Sequence, residues 1–365
     1  MARASVSSTV AERRLCNQHL TSTGLQRPGD VVEWFGAMQA QEYEPARWAL
    51  GLRLRDGIVD ADIRRAFDAG RILRTHVMRP TWHFVTPADI RWLLELTAPR
   101  VHRIMSYYNR ALGLDARTLT RGTGVIERAL GEGRHLTRPE LAEALQRARL
   151  PMIKDRLARV VMHAELEGVV CSGRRREHHF TYALLAERAP KARRLPRDEA
   201  LATLGERFFR SHGPATIRDF AWWSGLTMAE GKRATEMIRA RRAVVDGLTY
   251  WTIEGSPRRA GRIQPVHLLP IYDEYVVAYR DRKAVPHGPS TVGSFSTDPV
   301  IFRHALVIGG QIAGTWRTTR STKGVMVQAV PLRRLNSSER QAIDAAVQRY
   351  ERFIGLPVAF SIAQR

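Results

Sequence analysis

The stretch "HLTRPELAEALQRARL", residues 135–150, carries the signals of a helix start and sets the expectation for the whole fold. Thr137 can cap the first turn, and Pro139 suits that turn because its missing N–H has no helical partner there. Leu141 and Leu145 then fall on one face of the helix. The pattern predicts an amphipathic helix that packs against a neighbour.

The residues that follow complete a recurring unit. "IKDRLARVVMHAELEGVV" (153–170) has apolar residues at helical spacing, and "VVCSGRRREHHFTY" (169–182) alternates like two strands around a basic turn. Helix, turn, second helix and hairpin describe a winged helix-turn-helix. In such a module the second helix can lie in a major groove of DNA while the wing touches the backbone.

Two further segments follow the same plan around this one. Beyond a linker at 187–200, helices and a hairpin with the turn signal Asp246-Gly247 are predicted at 196–213, 216–226, 227–240 and 241–253. The first segment is looser, with helices at 7–20, 28–41, 45–55 and 61–70 and a β-ribbon at 72–85 that turns near Arg79-Pro80. A long amphipathic helix at 87–108 joins the first two modules.

After about residue 256 the pattern changes to strands, predicted at 266–282, 304–320 and 324–335, with a last helix at 337–355 capped by Ser337 or Ser338. The predicted fold class is α+β, with three tandem winged helix-turn-helix modules and a β-barrel-like domain. The expected domains are 1–112 with the linking helix, 113–195, 196–255, and 256–365 with the terminal helix.

Charge points to a polyanionic partner. The chain has 58 Lys and Arg against 36 Asp and Glu, a net charge of +22. Each phosphate that such a surface neutralises releases a counterion, so double-stranded DNA is the expected partner. A GC-rich genome, which favours Arg codons, could account for part of the excess.

Several function classes are excluded by what the sequence lacks. Cys16 and Cys171 are too few for a disulfide framework or a four-cysteine zinc site, and both are expected to stay reduced. Histidines 76, 83, 102, 163, 178 and 179 show no metal-like pairing, so no metal is expected. No phosphate-binding loop is found, which argues against a nucleotide cofactor. No cofactor of any kind is predicted.

The sequence also bears on where in the cell the protein is expected. No apolar run approaches the roughly 18 to 20 residues of a membrane span, and the basic amino terminus has no apolar core of a secretory signal. A cytoplasmic, nucleoid-associated protein without a membrane partner is expected.

Two basic tips are candidate DNA contacts. Arg174, Arg175 and Arg176 sit on the turn of the middle hairpin, where guanidinium groups could bind phosphate; a merely solvated turn is the alternative. A carboxyl-terminal hairpin concentrates Arg317, Arg320 and Lys323, which could enter a groove or simply form a structural hairpin.

Asp273 and Glu274 are expected on a strand, pointing to opposite faces, with one of them holding an arginine.

Gln39 and Gln41 are expected to bracket a helix end, because Glu44-Pro45 discourages a continued helix. Taken alone, the amides would be capping or solvated groups.

Several longer motifs are spread along nearly the whole chain. They are, in order, "GAMQAQEYEPARWALGLRLR", "LRTHVMRPTWHFVTPADIRWLL", "GPATIRDFAWWSGL", "LLPIYDEY" and "GQIAGTWR". These motifs and their order resemble the AlkZ/YcaQ family of bacterial DNA glycosylases. The resemblance implies a C-shaped stack of three winged-helix modules and a β-barrel that holds duplex DNA on its concave face. The family signature of Gln, an apolar residue, then Gln or Asp reads Gln39-Ala40-Gln41 here.

This diglutamine form resembles the AlkZ branch, which implies a monofunctional enzyme that removes N7-alkylated purines, including bulky or crosslinked ones. Base excision repair and self-resistance to a DNA-alkylating natural product are both open. A cationic base is already a good leaving group, so the site needs only to place a water and stabilise charge. Gln41 is expected to position the water and Gln39 to fix it or the deoxyribose, unless only one of them matters.

The resemblance also implies that excision need not flip the base. Arg79, Trp82 and His83 on the first ribbon are candidate DNA contacts or supports of the site, with core packing an equal alternative for Trp82. A monomer is expected, since three modules on one chain can embrace DNA. The competing interpretations are a winged-helix transcription regulator and an architectural DNA-binding protein.

Overall fold

The computed structural model describes residues 6–21, 24–153, 155–253, 266–280, 285, 303–322 and 324–363. The predicted α+β class is confirmed, since helices and antiparallel ribbons alternate along the chain. None of the helices within these ranges has the length and apolar character to cross a membrane.

The first segment places a three-stranded sheet among four helices. Its elements are α1 (Val6–Asn17), α2 (Pro28–Phe35), β1 (Met38–Gln39), α3 (Tyr43–Gly51), α4 (Asp60–Asp68), β2 (Leu73–Val77) and β3 (Arg79–Val85). The strand order is β1-β3-β2. The chain reverses at Met78, which has a φ of 63°, one residue before the predicted turn.

The next stretch of the chain begins with the long helix. Its elements are α5 (Ile90–Ala111), α6 (Ala116–Leu130), β4 (Leu136–Thr137), α7 (Arg138–Arg147), α8 (Arg156–Leu166), β5 (Val170–Ser172), β6 (Thr181–Leu184) and α9 (Leu185–Arg188). Thr137 is the N-cap of α7 as predicted, and its main-chain amide donates a hydrogen bond to Glu140 Oε2 at 2.7 Å.

The third segment matches its prediction element by element. It consists of α10 (Arg197–Ser211), α11 (Ile217–Ser224), α12 (Met228–Met237), β7 (Ala240–Val245) and β8 (Leu248–Ile253). Asp246 and Gly247 join β7 to β8 with φ angles of 49° and 75°, the double positive φ that a two-residue hairpin turn requires.

The carboxyl-terminal part is a mixed sheet covered by a helix. It comprises β9 (Val266–Leu269), α13 (Glu274–Val277), β10 (His304–Ile308), β11 (Gln311–Ser321), β12 (Gly324–Pro331), α14 (Ser337–Ile354) and β13 (Val358–Ile362). The sheet order is β13-β12-β11-β10-β9. Asn336, rather than either predicted serine, caps α14 by accepting the Glu339 amide at 2.8 Å.

Barrel closure is not found within the described residues. Closure needs the edge strands to pair, and β9 and β13 stay at opposite edges of the sheet. The apolar face is instead buried by α14, whose Ile343, Val347 and Phe353 join the core. A sheet whose apolar face is already covered gains little by closing on itself.

One hydrophobic core joins the amino-terminal helices to this carboxyl-terminal sheet. Trp48 of α3 packs beside Tyr350 of α14, and its indole Nε1 donates to the Leu268 carbonyl at 2.7 Å. Buried Arg53 forms a bidentate ion pair with Asp273, and both of its hydrogen bonds are 2.8 Å long. The predicted domain boundaries stay predictions.

Candidate active site

Gln39 lies on a short edge strand, because α2 ends earlier than the sequence suggests. The helix stops at Phe35, and Gly36 follows with a φ of 83°. Met38 and Gln39 then pair with Phe84 and His83 of β3. The prediction that the two amides bracket a helix end is wrong. Pairing with β3, which is distant in sequence, determines the conformation here more than local helix propensity does.

Gln41 lies in the turn between β1 and α3. The helix α3 begins at Tyr43, so Pro45 stands in its first turn, where a missing N–H costs nothing. The proline therefore helps to start a helix rather than to end one. Gln41 is half-buried, whereas Gln39 is only 9% exposed.

The two side-chain carbonyl oxygens are held to different degrees. Gln39 Oε1 accepts from Arg79 Nη2 at 3.2 Å and from Thr81 Oγ1 at 3.4 Å. Gln41 Oε1 accepts from the Trp82 amide at 3.3 Å. A carbonyl oxygen can accept two hydrogen bonds, so Gln41 keeps one acceptor position for a further donor.

Arg74 supports the backbone of the motif, a role that the sequence did not indicate. Its Nε donates to the Ala40 carbonyl at 2.9 Å and its Nη2 to the Gln41 carbonyl at 3.0 Å. Its guanidinium lies 4.3 Å from the centre of the Trp82 ring. Burial lowers the pKa of Arg74 to about 10, which leaves it charged at neutral pH.

Trp82 packs against buried side chains. His76 packs on its ring with centroids 4.3 Å apart, and Glu165 of α8 is hydrogen-bonded to the His76 Nδ1. The indole is half-buried. Trp82 thus lies between the buried support of the site and the surface, where it could meet DNA.

Of the two alternatives for His83, a DNA contact or a support of the site, its position matches the second. It is fully buried beside Gln39, and its Nδ1 lies 3.0 Å from the Thr81 carbonyl. Burial, with the nearby Arg79 charge, lowers the pKa of His83 to about 3, so the ring is neutral. A fully buried ring does not reach DNA from this position; His83 packs behind the motif instead.

Glu274 anchors the motif from the carboxyl-terminal part of the chain. Its Oε1 accepts the Gln39 amide at 2.6 Å, and its Oε2 accepts from His212 Nε2 at 3.2 Å and Trp223 Nε1 at 3.0 Å. Burial alone would raise the pKa of Glu274, but the hydrogen bond from His212 and that from the Gln39 amide lower it. Glu274 is therefore an ionised acceptor, not a proton carrier.

The expectation of a strand at 273–274 is wrong. Both residues belong to the helical turn α13, with Asp273 as its N-cap, and both are buried. A turn lets neighbouring carboxylates reach different partners, so Asp273 holds Arg53 while Glu274 holds the motif. The expected hold on an arginine is confirmed.

The middle hairpin presents its three arginines differently. Arg174 is exposed. Arg175 lies 5.3 Å above the Tyr43 ring, and Arg176 donates to Glu140 at 2.8 Å. Two of the three thus make contacts within the protein.

The carboxyl-terminal hairpin is partly engaged as well. Arg317 donates to Gln328 at 2.9 Å and Arg320 pairs with Glu44 at 3.3 Å, whereas Lys323 lies outside the described residues. A cleft of about 440 Å³ beside α3 is lined by arginines from both hairpins and from α3 and α4, together with two carboxylates that pair with three of them. The arginines are Arg47, Arg64, Arg175 and Arg320, and the carboxylates are Glu44 and Asp60.

Both cysteines are free and buried. Burial raises the pKa of Cys171 to about 12, so it is an inert thiol rather than a nucleophile.

Comparison with known proteins defines the class. A family model described as DNA glycosylase AlkZ-like matches residues 32–353. The solved structure of the Streptomyces sahachiroi DNA glycosylase AlkZ aligns with a TM-score of 0.75 at 21% identity, covering 99% of this chain and 100% of that chain. At this identity the likeness shows the fold. No curated protein sequence matches the chain.

The chain belongs to the AlkZ-like family of DNA glycosylases. The resemblance drawn from the motifs is thereby confirmed, and DNA is the substrate that the family implies.

Proposed function

We propose that the protein is a monofunctional glycosylase that hydrolyses the N-glycosidic bond of N7-alkylated, cationic purine nucleotides in duplex DNA. The observation that carries this proposal is the asymmetry of the two amides. Gln41 is half-buried with one acceptor position left, whereas Gln39 is buried and doubly held by Arg79 and Thr81.

In the reaction, a water held by Gln41 Oε1 adds to C1′ while the bond from C1′ to N9 breaks. The cationic purine takes the electron pair of the breaking bond and therefore leaves as a neutral base. The proton of the attacking water passes to solvent. An amide cannot take that proton as a general base would. The site therefore suits substrates that carry their own activation.

Gln39 has the positioning part in this proposal. Arg79 and Thr81 of β3 donate to its side-chain oxygen, and Glu274 accepts from its main-chain amide. Gln39 can therefore orient the water or the deoxyribose without moving. Arg74 and Trp82 keep the turn at Gln41 in place. A rigid frame matters because small misplacement of a reacting group costs large factors in rate.

The finer picture of DNA binding belongs to the same proposal. Winged-helix modules and the sheet domain would enclose duplex DNA as a C-shaped monomer. Arg174 and the basic cleft with Arg175 and Arg320 would meet phosphates, while Trp82 and Arg79 would lie nearest the lesion. Bulky or crosslinked adducts fit a site that does not need to flip the base.

The test is incubation with a duplex that contains N7-methylguanine, followed by alkaline cleavage of abasic sites. Wild-type protein should release base well above the no-protein rate, and strands should stay intact without alkali. Gln41→Ala should lose about 100-fold or more of the single-turnover rate while binding DNA as before. Gln39→Ala should lose less.

Glu42 offers a matched control, because it is the exposed carboxylate next to Gln41. Glu42→Gln should keep the wild-type rate. Loss of activity in Glu42→Gln with full activity in Gln41→Ala would move the chemistry from the amide to the carboxylate. Absence of excess abasic product on any N7-alkylated duplex would overturn the proposed substrate class.

A further inference from the structure

Three side chains converge at the contact between α5 and the end of α8, away from the amide motif. His102 Nε2 lies 3.0 Å from Glu167 Oε1, and His163 Nε2 lies 3.7 Å from the same oxygen. All three ligand atoms are within 4.8 Å of one another. His163 and Glu167 are four residues apart, so they share one face, while His102 comes from the facing helix.

We propose that His102, His163 and Glu167 form a binding site for a divalent transition metal ion, with Zn²⁺ as the favoured occupant. Two imidazoles and one carboxylate are a ligand set that zinc accepts, with a fourth position left for water. The separations of 3.0 and 3.7 Å lie on either side of the roughly 3.4 Å edge of a tetrahedron with zinc–nitrogen bonds of about 2.1 Å.

A second residue orients one of the imidazoles. Thr123 Oγ1 lies 3.0 Å from His163 Nδ1. When the hydroxyl accepts the Nδ1 proton, the lone pair of Nε2 faces Glu167 and His102. Support of this kind on the other ring nitrogen is typical of histidines that bind metals.

The site is also accessible. His102 and Glu167 line a cavity of about 260 Å³, and their side chains are 30% and 49% exposed. Glu95 and Arg194 line the same cavity and form an ion pair at 3.2 Å. A metal ion can enter from solvent, and a water in the cavity can complete its coordination.

The position of the site indicates a bracing function rather than a chemical one. His163 and Glu167 stand on the face of α8 opposite to Glu165, since residues two apart point to opposite sides of a helix. Glu165 holds His76, which packs on Trp82 beside the amide motif. A metal that ties α8 to α5 would therefore stiffen the support of Trp82 from behind.

The pattern is not visible in the sequence, because His102 is distant from the other two ligands along the chain. Histidine pairs four apart do not occur among these residues, so the sequence alone predicts no metal. A histidine and a glutamate four apart become informative only when the fold brings α5 against α8.

The proposal is tested on full-length protein stripped with a chelator and titrated with ZnCl₂ by calorimetry. Wild type should bind one Zn²⁺ at this site, and His163→Ala and Glu167→Gln should each weaken that binding at least tenfold. His178→Ala removes an exposed histidine outside the cluster and should bind as wild type does. Mg²⁺, a hard cation that prefers oxygen ligands, should not compete.

Thermal unfolding gives the second measurement. Zn²⁺ should raise the melting temperature of the wild type and leave that of His163→Ala and Glu167→Gln unchanged. Glu167 is half-exposed, so its substitution should fold normally, as circular dichroism can check. Equal zinc affinity in wild type and in the His102→Ala/His163→Ala/Glu167→Gln protein would overturn the site.

Discussion

Two ribbons of the same plan differ in what surrounds them. The ribbon β2–β3 is covered by α5, α8 and β5, and every residue of β2 is buried. The ribbon β7–β8 is a two-stranded hairpin whose residues Arg241 to Val244 are exposed. The buried ribbon accepts β1 as a third strand and so carries the amide motif. The second ribbon instead presents most of β7 to solvent.

The surroundings of a hairpin determine what its residues can contact. A catalytic group has to be held within a fraction of an ångström, and a ribbon with one fully buried strand offers such a frame. Contact with phosphates requires exposure instead, and β7 presents Arg241 and Arg242 at the surface. Five substitutions compare these two regions, taken from the largest expected effect to the smallest.

Glu274→Ala should destabilise the protein by about 3–5 kcal/mol and abolish excision, since it leaves the Gln39 amide, His212 and Trp223 buried without their acceptor. Denaturant unfolding and the lesion assay measure both effects. Glu236→Ala on α12 is the control, because its carboxylate is 62% exposed and its partner Lys232 is 3.9 Å away. Equal effects in the two variants would contradict the anchoring role of Glu274.

Gly225→Ala and Gly247→Ala form a matched pair on the two ribbons. Gly225 has a φ of 72°, and an added Cβ would lie 2.2 Å from the Met78 carbonyl at the turn of the buried ribbon. Gly247 has a φ of 75°, and its Cβ would meet open space. We expect a loss of about 2–5 kcal/mol for Gly225→Ala and about 1–2 kcal/mol for Gly247→Ala. Similar values from urea unfolding would mean that the Met78 contact can relax.

Asp89 should make stability depend on pH below about 4. This residue follows the buried ribbon and accepts hydrogen bonds from Thr86, Trp92 and Arg207. Burial opposes ionisation, but these hydrogen bonds, led by that from Arg207, lower its pKa to about 2. A depressed folded pKa gives stability that is present above the unfolded value and is lost as the pH falls toward 2.

Ionised Asp89 should contribute about 2 kcal/mol to the free energy of unfolding at neutral pH. Unfolding measured between pH 2 and 6 should show this loss in the wild type, and Asp89→Asn should flatten that part of the profile at a lower overall stability. A variant with an unchanged slope would assign the acid sensitivity to other carboxylates.

Arg242→Ala tests the exposed ribbon and should change stability by less than about 0.5 kcal/mol. If β7 contacts a phosphate, DNA affinity should fall for lesion and intact duplex alike, and the slope of log affinity against log salt should decrease by about one. An unchanged slope would leave DNA binding to the other hairpins.

Local signals predicted most of the elements and few of the contacts between them. The cap at Thr137 and the turn at Asp246-Gly247 occur as expected, because neighbouring residues alone determine them. The strand β1 has only two residues and exists because β3 pairs with it, so periodicity could not reveal it. Arg74 and Glu274 reach the motif from other segments, which a single sequence does not show.

The bond from the Gln39 amide to Glu274 spans 235 residues of chain, and it has a consequence for biosynthesis. The amino-terminal half leaves the ribosome long before its carboxylate partner is made. A nascent chain therefore cannot complete the site, nor can the core shared by Trp48 and Tyr350 close around it. Activity should appear in one step, when nearly the whole chain has been translated, so truncated products would not excise bases from DNA.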